Sequence, residues 1–521
     1  MSLTIEKIRL INFKRFQDYT LEPKPRINVL VGDNEVGKSS ILEAIDLVAS
    51  GSIKKVESMG LDRLLNINAV HSFLQAERTF ENLPKLIVEL YVSGCNDHTM
   101  NGNNNSEHRV CDGIRLVCEA NPDYRTEITH SLQAQDDYFP YDFYSIRFST
   151  FADEGYTGYK KKLRSVFIDS SSMNTEHATT DFVRRMYIQY TEADVKERAM
   201  HKSMYRQMKT QFCAENMQTI NERIPAAKNY SFGLRNGSSQ AFENDLMIYE
   251  DQISLESKGT GKQVFIKTDF ALEHAGADVD VILIEEPENH LSHVNLREML
   301  QRVANTQNGQ IFVTTHNSLI STRLELKNLF ILHAEGENRP TTLDDLSDDT
   351  AQYFMKTPPA GIIEYALSNK IILVEGPSEY MLFERFYETT AHCKPENDGV
   401  HIMDIRGLSF IRYLDIARLT GAKVAVVTDN DGDIQTNITN KYSAFANIPN
   451  MKVCYCQDEG LRTFEIVLYH ENSSLCDRLF GNDAENHMLK NKTESAYALL
   501  DQGETINVPA YIREAIEWIR S

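Results

Sequence analysis

No stretch of the 521-residue sequence approaches the ~18 consecutive apolar residues that a membrane-spanning helix needs. The opening MSLTIEKIRLINFKRF alternates like a strand and lacks the charged n-region and apolar h-region of a signal peptide, so no membrane association and a cytoplasmic location are expected. The eight cysteines (95, 111, 118, 213, 393, 454, 456 and 476) include no CxxC pair. The one close pair, Cys454 and Cys456, would face opposite sides of a strand, which favours reduced structural thiols over zinc ligands or disulfides. Positive charge is also scarce: 54 Lys and Arg against 75 Asp and Glu leave a net charge of −21. That balance excludes a chain that coats nucleic acid through bulk charge, while it permits a local basic groove or a basic partner. No internal repeat is found.

What is present is ordinary in amount, with 41% hydrophobic and 25% charged residues, and long enough for three or so domains. The order begins strand, strand, glycine loop, helix: LTIEKIRLINF, PRINVLVG and SSILEAIDLVA. A further strand, KLIVELYVSG, leads into CNDHTMNGNNNSEH (95–108), a polar hairpin tip. Residues 178–224 carry almost no glycine or proline and have apolar residues at helical spacing, which predicts helices inserted into the first domain. The acidic, turn-rich GENRPTTLDDLSDDT (336–350) reads as a linker. From 366 onward KIILVEG, AKVAVVTD and MKVCYC alternate with helical stretches, the pattern of a second α/β unit. The expected divisions are a first domain over 1–170 and 236–340, a helical insertion over 171–235 that offers a dimer contact or a helical pair packed on its own domain, a linker over 341–365, and the second unit over 366–521.

The loop GDNEVGKS fits G-x-x-x-x-G-K-[ST] between a strand and a helix. Gly32 and Gly37 let backbone N–H groups wrap phosphates, Lys38 reaches the β/γ-phosphates, and Ser39 can bind Mg²⁺. Asn34 and Ser40 complete the candidate nucleotide-binding set. Farther on, VDVILIEEPENHLS is an apolar strand ending in Glu285, suited to the Mg²⁺, and Glu286, suited as the base for the attacking water. Before it stands SLESKGTGKQ, with Ser257, Gly259 and Gly261. After it, GQIFVTTHN places His316 at a strand end. In order and spacing these resemble the Walker A, signature, Walker B, D-loop (ENHLS) and switch histidine of ABC-type ATPase heads of the SMC/Rad50 group. Two departures are Glu285 where aspartate is usual and a signature unlike LSGGQ. The resemblance implies ATP as cofactor and a homodimer or higher homo-oligomer, because in such heads one copy's signature caps the nucleotide on another. The insertion is too short for a long SMC coiled coil.

VAVVTDNDGD (424–433) places Asp429, Asp431 and Asp433 at alternate positions. An EF-hand would need glycine and glutamate where Ile434 and Asn440 stand. KIILVEGPSEY is a second apolar strand ending in a carboxylate, Glu375, with Glu379 four residues on. In a parallel sheet the two strand ends would share a crevice, where crowded carboxylates call for Mg²⁺ or Mn²⁺. Continued strand geometry would turn Asp429 and Asp431 to the same side.

LVEGPSE and DNDGD resemble the glutamate and D-x-D motifs of the Toprim domain. An ABC-type head followed by Toprim resembles the OLD (overcoming lysogenization defect) family of nucleases, and PYDFYSIRFSTFAD (140–153) is similar to a segment of its anti-phage Gabija branch. The fold class so implied is α/β: an ABC-type head with a helical insertion, then a Toprim domain. The resemblance implies Glu375, Glu379, Asp429, Asp431, Asp433 and Glu465 as metal ligands, with Glu375 also catalytic. It implies Lys492 as the cation that steadies the transition state, beside Glu286 and His316 in the head. It further implies a nucleotide-regulated DNA endonuclease in anti-phage defence, with a helicase-like protein or a retron reverse transcriptase and its single-stranded DNA as partner. An ATP-gated DNA clamp without cleavage, and a Toprim RNA nuclease, stay open. Tyr442, Tyr455, Tyr469, Tyr497 and Tyr511 lack the context of a topoisomerase nucleophile, so hydrolysis by water is favoured.

Overall fold

The computed structural model describes residues 3–521 except 96, 134–137, 159–160, 170–175, 192–193, 225–227, 229, 235–241, 275–278, 290, 334–337 and 358–360. Parts of the expected insertion and linker, and His290 of the D-loop segment, therefore lie outside the described residues.

Two sheets sandwich the helix Lys38–Ser50. The first is antiparallel and runs Phe16–Leu21, Thr4–Phe13, Leu86–Ser93, Cys111–Ala120, with Tyr144–Thr150 and Asn101–Gly102 also paired to Cys111–Ala120. The second runs Thr341–Thr342, Leu329–Ile331, Ile27–Val31, Gln310–Thr314, Val281–Glu285, Ser165–Asp169, and only Thr341–Thr342 is antiparallel. Its inner strands are near-continuous apolar runs because both faces are covered. Ile41, Leu42, Ile45 and Val48 of the helix pack with Leu10, Leu90 and Leu116 on one side and with Val281, Leu283 and Phe312 on the other.

The opposite face of this second sheet buries Val29, Ile282 and Val313 against the helices Thr260–Glu273, His293–Asn305 and Ser318–Arg323. This core does not stop at the head. It continues through Ala351 and Phe354 of the helix Asp348–Lys356 and Ile362, Ile363 and Tyr365 of the helix Ile362–Leu367, reaching Ile371, Leu373, Val424 and Val426 of a third sheet. The region read as a linker is thus a packed bridge. Its acidic, turn-rich start resembles a linker in composition, yet Leu343 and Leu346 within it are already buried in this core, ahead of the two short helices.

The third sheet is wholly parallel, in the order Val400–Asp404, Lys370–Val374, Lys423–Val427, Met451–Cys454. Side chains alternate across it. Ile371 and Leu373 face the bridge and the helix Phe410–Thr420, whereas Ile372 and Val374 pack against Pro377–Ala391, Lys492–Asp501 and Ala510–Arg520. The region of the insertion forms the helices Glu176–Tyr190 and Val195–Asn216. Phe182 of the first is buried with Leu255 and Phe270, while no residue of the second is buried and Met200, Met204, Met208 and Phe212 form an exposed stripe. No described helix is long and apolar enough to cross a membrane.

Candidate functional site

The P-loop leaves the buried strand Ile27–Val31 and closes on the helix Lys38–Ser50. Gly37 has φ 99°, and a Cβ there would lie 2.5 Å from Phe16 Cζ, so glycine is required by both conformation and space. A Cβ on Gly32 would lie 2.8 Å from the Leu332 carbonyl oxygen. Lys38 is buried, and its ammonium donates to the carbonyls of Gly32 and Asp33, both at 2.8 Å. Burial lowers its pKa, against the opposing pull of Glu286, Asp33, Glu288 and Glu285. Asn34 and Ser39 are exposed and Ser40 is half-buried in the same loop and first turn.

The strand Gln310–Thr314 lies between the P-loop strand and Val281–Glu285, with Glu285 opposite Thr314. All three are parallel, so their carboxyl ends open on one edge. Glu286 follows with φ 38°, and its N–H donates to Thr314 O at 3.1 Å. His316 Nε2 stands 3.2 Å from Glu286 Oε1. Two polar residues complete this corner: Glu288, which opens the D-loop segment ENHLS but was given no role of its own, and Thr315, which sequence reasoning missed. Glu288 Oε1 accepts from Thr315 Oγ1 at 2.6 Å and from His316 N at 2.8 Å. The structure thus brings Lys38, Glu285, Glu286 and His316 together. Ser257 and Gly259 are exposed in the turn before Thr260–Glu273, where a Cβ on Gly259 would meet nothing within 4 Å, and Gly261 lies in the first turn of that helix.

In the third sheet, Lys370–Val374 and Lys423–Val427 pair with Leu373 opposite Val426, which sets Glu375 beside Thr428 and Asp429. Glu375 Oε1 accepts from Thr428 Oγ1 at 2.6 Å and from Asp429 N at 3.0 Å. Two further carboxylates enter from helix first turns, where the positive end of the helix favours them: Glu379, 9% exposed, and Glu465, 3% exposed. Lys492 Nζ lies 3.0 Å from Glu465 Oε2. Burial, then repulsion from Glu375, Glu379 and Glu465, pushes the Asp429 pKa up to about 8. Burial, then Glu465 and Glu375, pushes Glu379 up to about 7. Burial works against the Lys492 ammonium, yet the Glu465 hydrogen bond and the charges of Glu465, Asp429 and Glu379 hold its pKa above the ordinary value.

The alternation expected of the aspartates ends early. The strand stops at Val427, Asp431 adopts φ 50°, and both Asp431 and Asp433 are exposed on the turn that follows. Asp433 Oδ1 accepts from Thr436 N at 2.9 Å, and hydrogen bonds from that backbone and side chain lower its pKa. Asn430, between the aspartates, is the buried member. Its amide donates to Cys456 O at 2.8 Å and Asp458 O at 2.9 Å, and its carbonyl accepts from Gly432 N. Tyr511 is buried beside this cluster. Burial, then Asp429 and Glu379, drives its phenol pKa far up. Among the described residues no three His, Cys, Asp or Glu side chains form a ready-made cage for a metal ion. The mutual repulsion of Asp429, Glu379, Glu375 and Glu465 nonetheless fits a divalent cation, whose charge would favour their ionised forms.

An ABC-type ATPase head joined to a parallel Toprim-type domain with buried carboxylates is the class this fold defines. The sequence profile of the AAA ATPase domain matches residues 3–320, and that of the overcoming lysogenization defect protein-like TOPRIM domain matches residues 367–431. The chain belongs to the AAA ATPase domain family and carries an OLD-like Toprim domain behind the head. It is similar to the DNA replication and repair protein RecF of Alkaliphilus oremlandii, 29% identical over 75 residues, which are 14% of this chain and 20% of that relative's length. Among solved structures it is similar to the recombination mediator protein RecF bound to ATP, at 11% identity and TM-score 0.35 over 66% of this chain and 99% of that one. It is also similar to the C-terminal region of the Burkholderia pseudomallei OLD protein, at 19% identity and TM-score 0.22 over 29% of this chain and 97% of that one.

Proposed function

We propose that the chain is a DNA endonuclease that depends on a divalent metal and is governed by the nucleotide state of its head. The observation that carries this reading is Glu375, locked by Thr428 and the Asp429 amide beside two carboxylates of raised pKa and the Lys492–Glu465 pair. Glu375, Glu379, Asp429 and Glu465 would hold the metal. Asp431 is an exposed further donor, and Asp433 is less available because it bonds the Thr436 amide. Bound Mg²⁺ or Mn²⁺ would supply stabilisation of the attacking and leaving oxygens of a phosphodiester. Lys492 is the side chain suited to neutralise charge on the phosphorane.

In the head, the P-loop amides and Lys38 would bind the ATP phosphates, Ser39 and Glu285 would hold Mg²⁺, and Glu286 would orient the attacking water with His316 at its side. The exposed signature turn with Ser257, Gly259 and Gly261 suits contact with a second copy, and the exposed stripe of Val195–Asn216 suits the same homodimer. We place the protein in the cytoplasm, in defence against phage, with a helicase-like protein or a retron reverse transcriptase and its single-stranded DNA as partner, the basic surface of the protein partner helping to recruit nucleic acid to an acidic chain. Incubating purified protein with plasmid DNA, Mg²⁺ or Mn²⁺ and each nucleotide state tests the nuclease. Nicking or linearisation lost in Asp429→Ala supports it. The absence of cutting in every state returns the chain to an ATP-gated clamp, and cutting confined to RNA makes it an RNA nuclease.

A further inference from the structure

Glu288 bridges the two strand ends on which the proposed hydrolytic pair is mounted. Glu286 and Glu288 leave the strand Val281–Glu285 in one turn, Pro287–Asn289, whereas Thr315 and His316 leave the neighbouring strand Gln310–Thr314. One carboxylate oxygen, Glu288 Oε1, spans the gap and accepts from the Thr315 hydroxyl at 2.6 Å and the His316 amide at 2.8 Å. Thr315 is fully buried, so without Glu288 its hydroxyl would lose this acceptor away from water. The second oxygen, Oε2, is buried without a hydrogen-bond partner among the described residues. Keeping a half-satisfied carboxylate there is costly for a residue that only fills a turn. The imidazole so anchored lies 3.2 Å from Glu286 Oε1, and Asn289 Nδ2 holds the other Glu286 oxygen at 2.7 Å.

We infer that Glu288 is a positioning residue for ATP hydrolysis, fixing the His316 backbone so that its imidazole stays against Glu286. The inference rests on the proposed roles of Glu286 and His316. Glu288 acts through them and need not touch ATP. The P-loop cradle is carried by the neighbouring strand Ile27–Val31, which Thr315 meets through its backbone amide to Leu30 O, and Glu288 is one of four carboxylates whose charge acts on Lys38. The loss should therefore appear mainly in turnover and much less in nucleotide binding.

The test uses the full-length chain, steady-state ATPase kinetics and titration with a fluorescent ATP analogue. Glu288→Gln keeps an acceptor oxygen in place and should retain kcat within about threefold. Glu288→Ala should lower kcat about 10- to 100-fold, the scale of a misplaced catalytic group, with KM and analogue affinity within about threefold. If Glu288→Ala fails to fold, Thr315→Val against Thr315→Ser decides the matter: the valine variant should lower kcat and the serine variant should restore it. Wild-type kcat in Glu288→Ala or Thr315→Val, equal impairment of Glu288→Gln and Glu288→Ala, or a defect confined to nucleotide binding would each overturn the inference. Failure of the underlying reading is separate, because Glu286→Gln would then hydrolyse ATP as fast as the wild type.

Discussion

The Ser318 hydroxyl donates a 2.9 Å hydrogen bond to Glu364 Oε2 and accepts one of 3.3 Å from the Ile363 amide. Ser318 opens the helix that follows His316, and Glu364 and Ile363 belong to the helix that runs into the strand ending before Glu375. The head's histidine and the Toprim glutamate are therefore separated by one helix-to-helix contact. Glu364 is exposed, so this contact contributes only about 1 kcal/mol to stability. Ser318→Ala should fold and retain both ATP hydrolysis and metal-dependent cleavage, but its cleavage should respond less to nucleotide than that of the wild type. Plasmid cutting with and without ATP measures the ratio, and an unchanged ratio would exclude this contact from the coupling.

In the Toprim domain, Asp429→Ala should reduce cleavage by about 100-fold or more while leaving ATP turnover within about twofold, because the side chain belongs to the carboxylate cluster and is remote in sequence from the P-loop. Asp433→Ala removes a turn cap, at a cost of about 1 kcal/mol, and should retain most cleavage. Gel assays alongside phosphate-release assays distinguish the two variants.

The same carboxylates predict a pH dependence. Asp429 at about 8 and Glu379 at about 7 bind protons more tightly in the folded chain than unfolded carboxylates of pKa about 4. Their contribution to the stability of the metal-free protein is therefore greatest below about pH 4 and is lost as the pH rises through about 7 to 8. Metal binding needs the ionised forms, so the rise in melting temperature caused by Mn²⁺ should be small near pH 5.5 and grow towards about pH 8.5. Thermal melts with and without Mn²⁺ follow it, and a shift that is constant across that range would argue against these two groups as ligands.

In the head, Lys38→Ala should abolish nucleotide binding. Glu286→Gln should bind ATP with near wild-type affinity, hydrolyse it at least about 100-fold more slowly and accumulate as a closed dimer, because the cradle survives while the base is lost. Nucleotide titration and light scattering in ATP check both outcomes.

Much of this was legible because the signals are local. A glycine loop between an apolar strand and a helix, or two strands ending in carboxylates, can be read from a few neighbouring residues, and Lys38, Glu286, Glu375 and Asp429 were picked out as candidates that way. Thr315 and Thr428 escaped, and Glu288 stood in the D-loop segment without a role of its own, because what each touches depends on which strand stands beside it, and strand order is set across hundreds of residues. The aspartate alternation misled for a physical reason: it assumed extended backbone past Val427, where Asp431 turns left-handed and Asn430 becomes the buried anchor. The bridge over 348–367 was hidden in another way, since its helices are too short to show a clear period and are buried by partners from both domains.

The shared core of head and Toprim bears on how such a chain can be inherited. Domains strung on an exposed tether can be exchanged at the tether, each bringing its own finished surface. Here Phe354, Ile363 and Tyr365 belong to one continuous core that also holds residues of both the head's parallel sheet and the Toprim sheet, with Tyr365 also donating to the Tyr413 carbonyl at 2.7 Å. A recombination junction at the bridge would leave an unmatched apolar face on each parent, so a foreign nuclease half could be accepted only together with the bridge helices and the helix Phe410–Thr420 that complete its fit. Head and Toprim should then descend as a pair, with substitutions on one side of the bridge answered on the other.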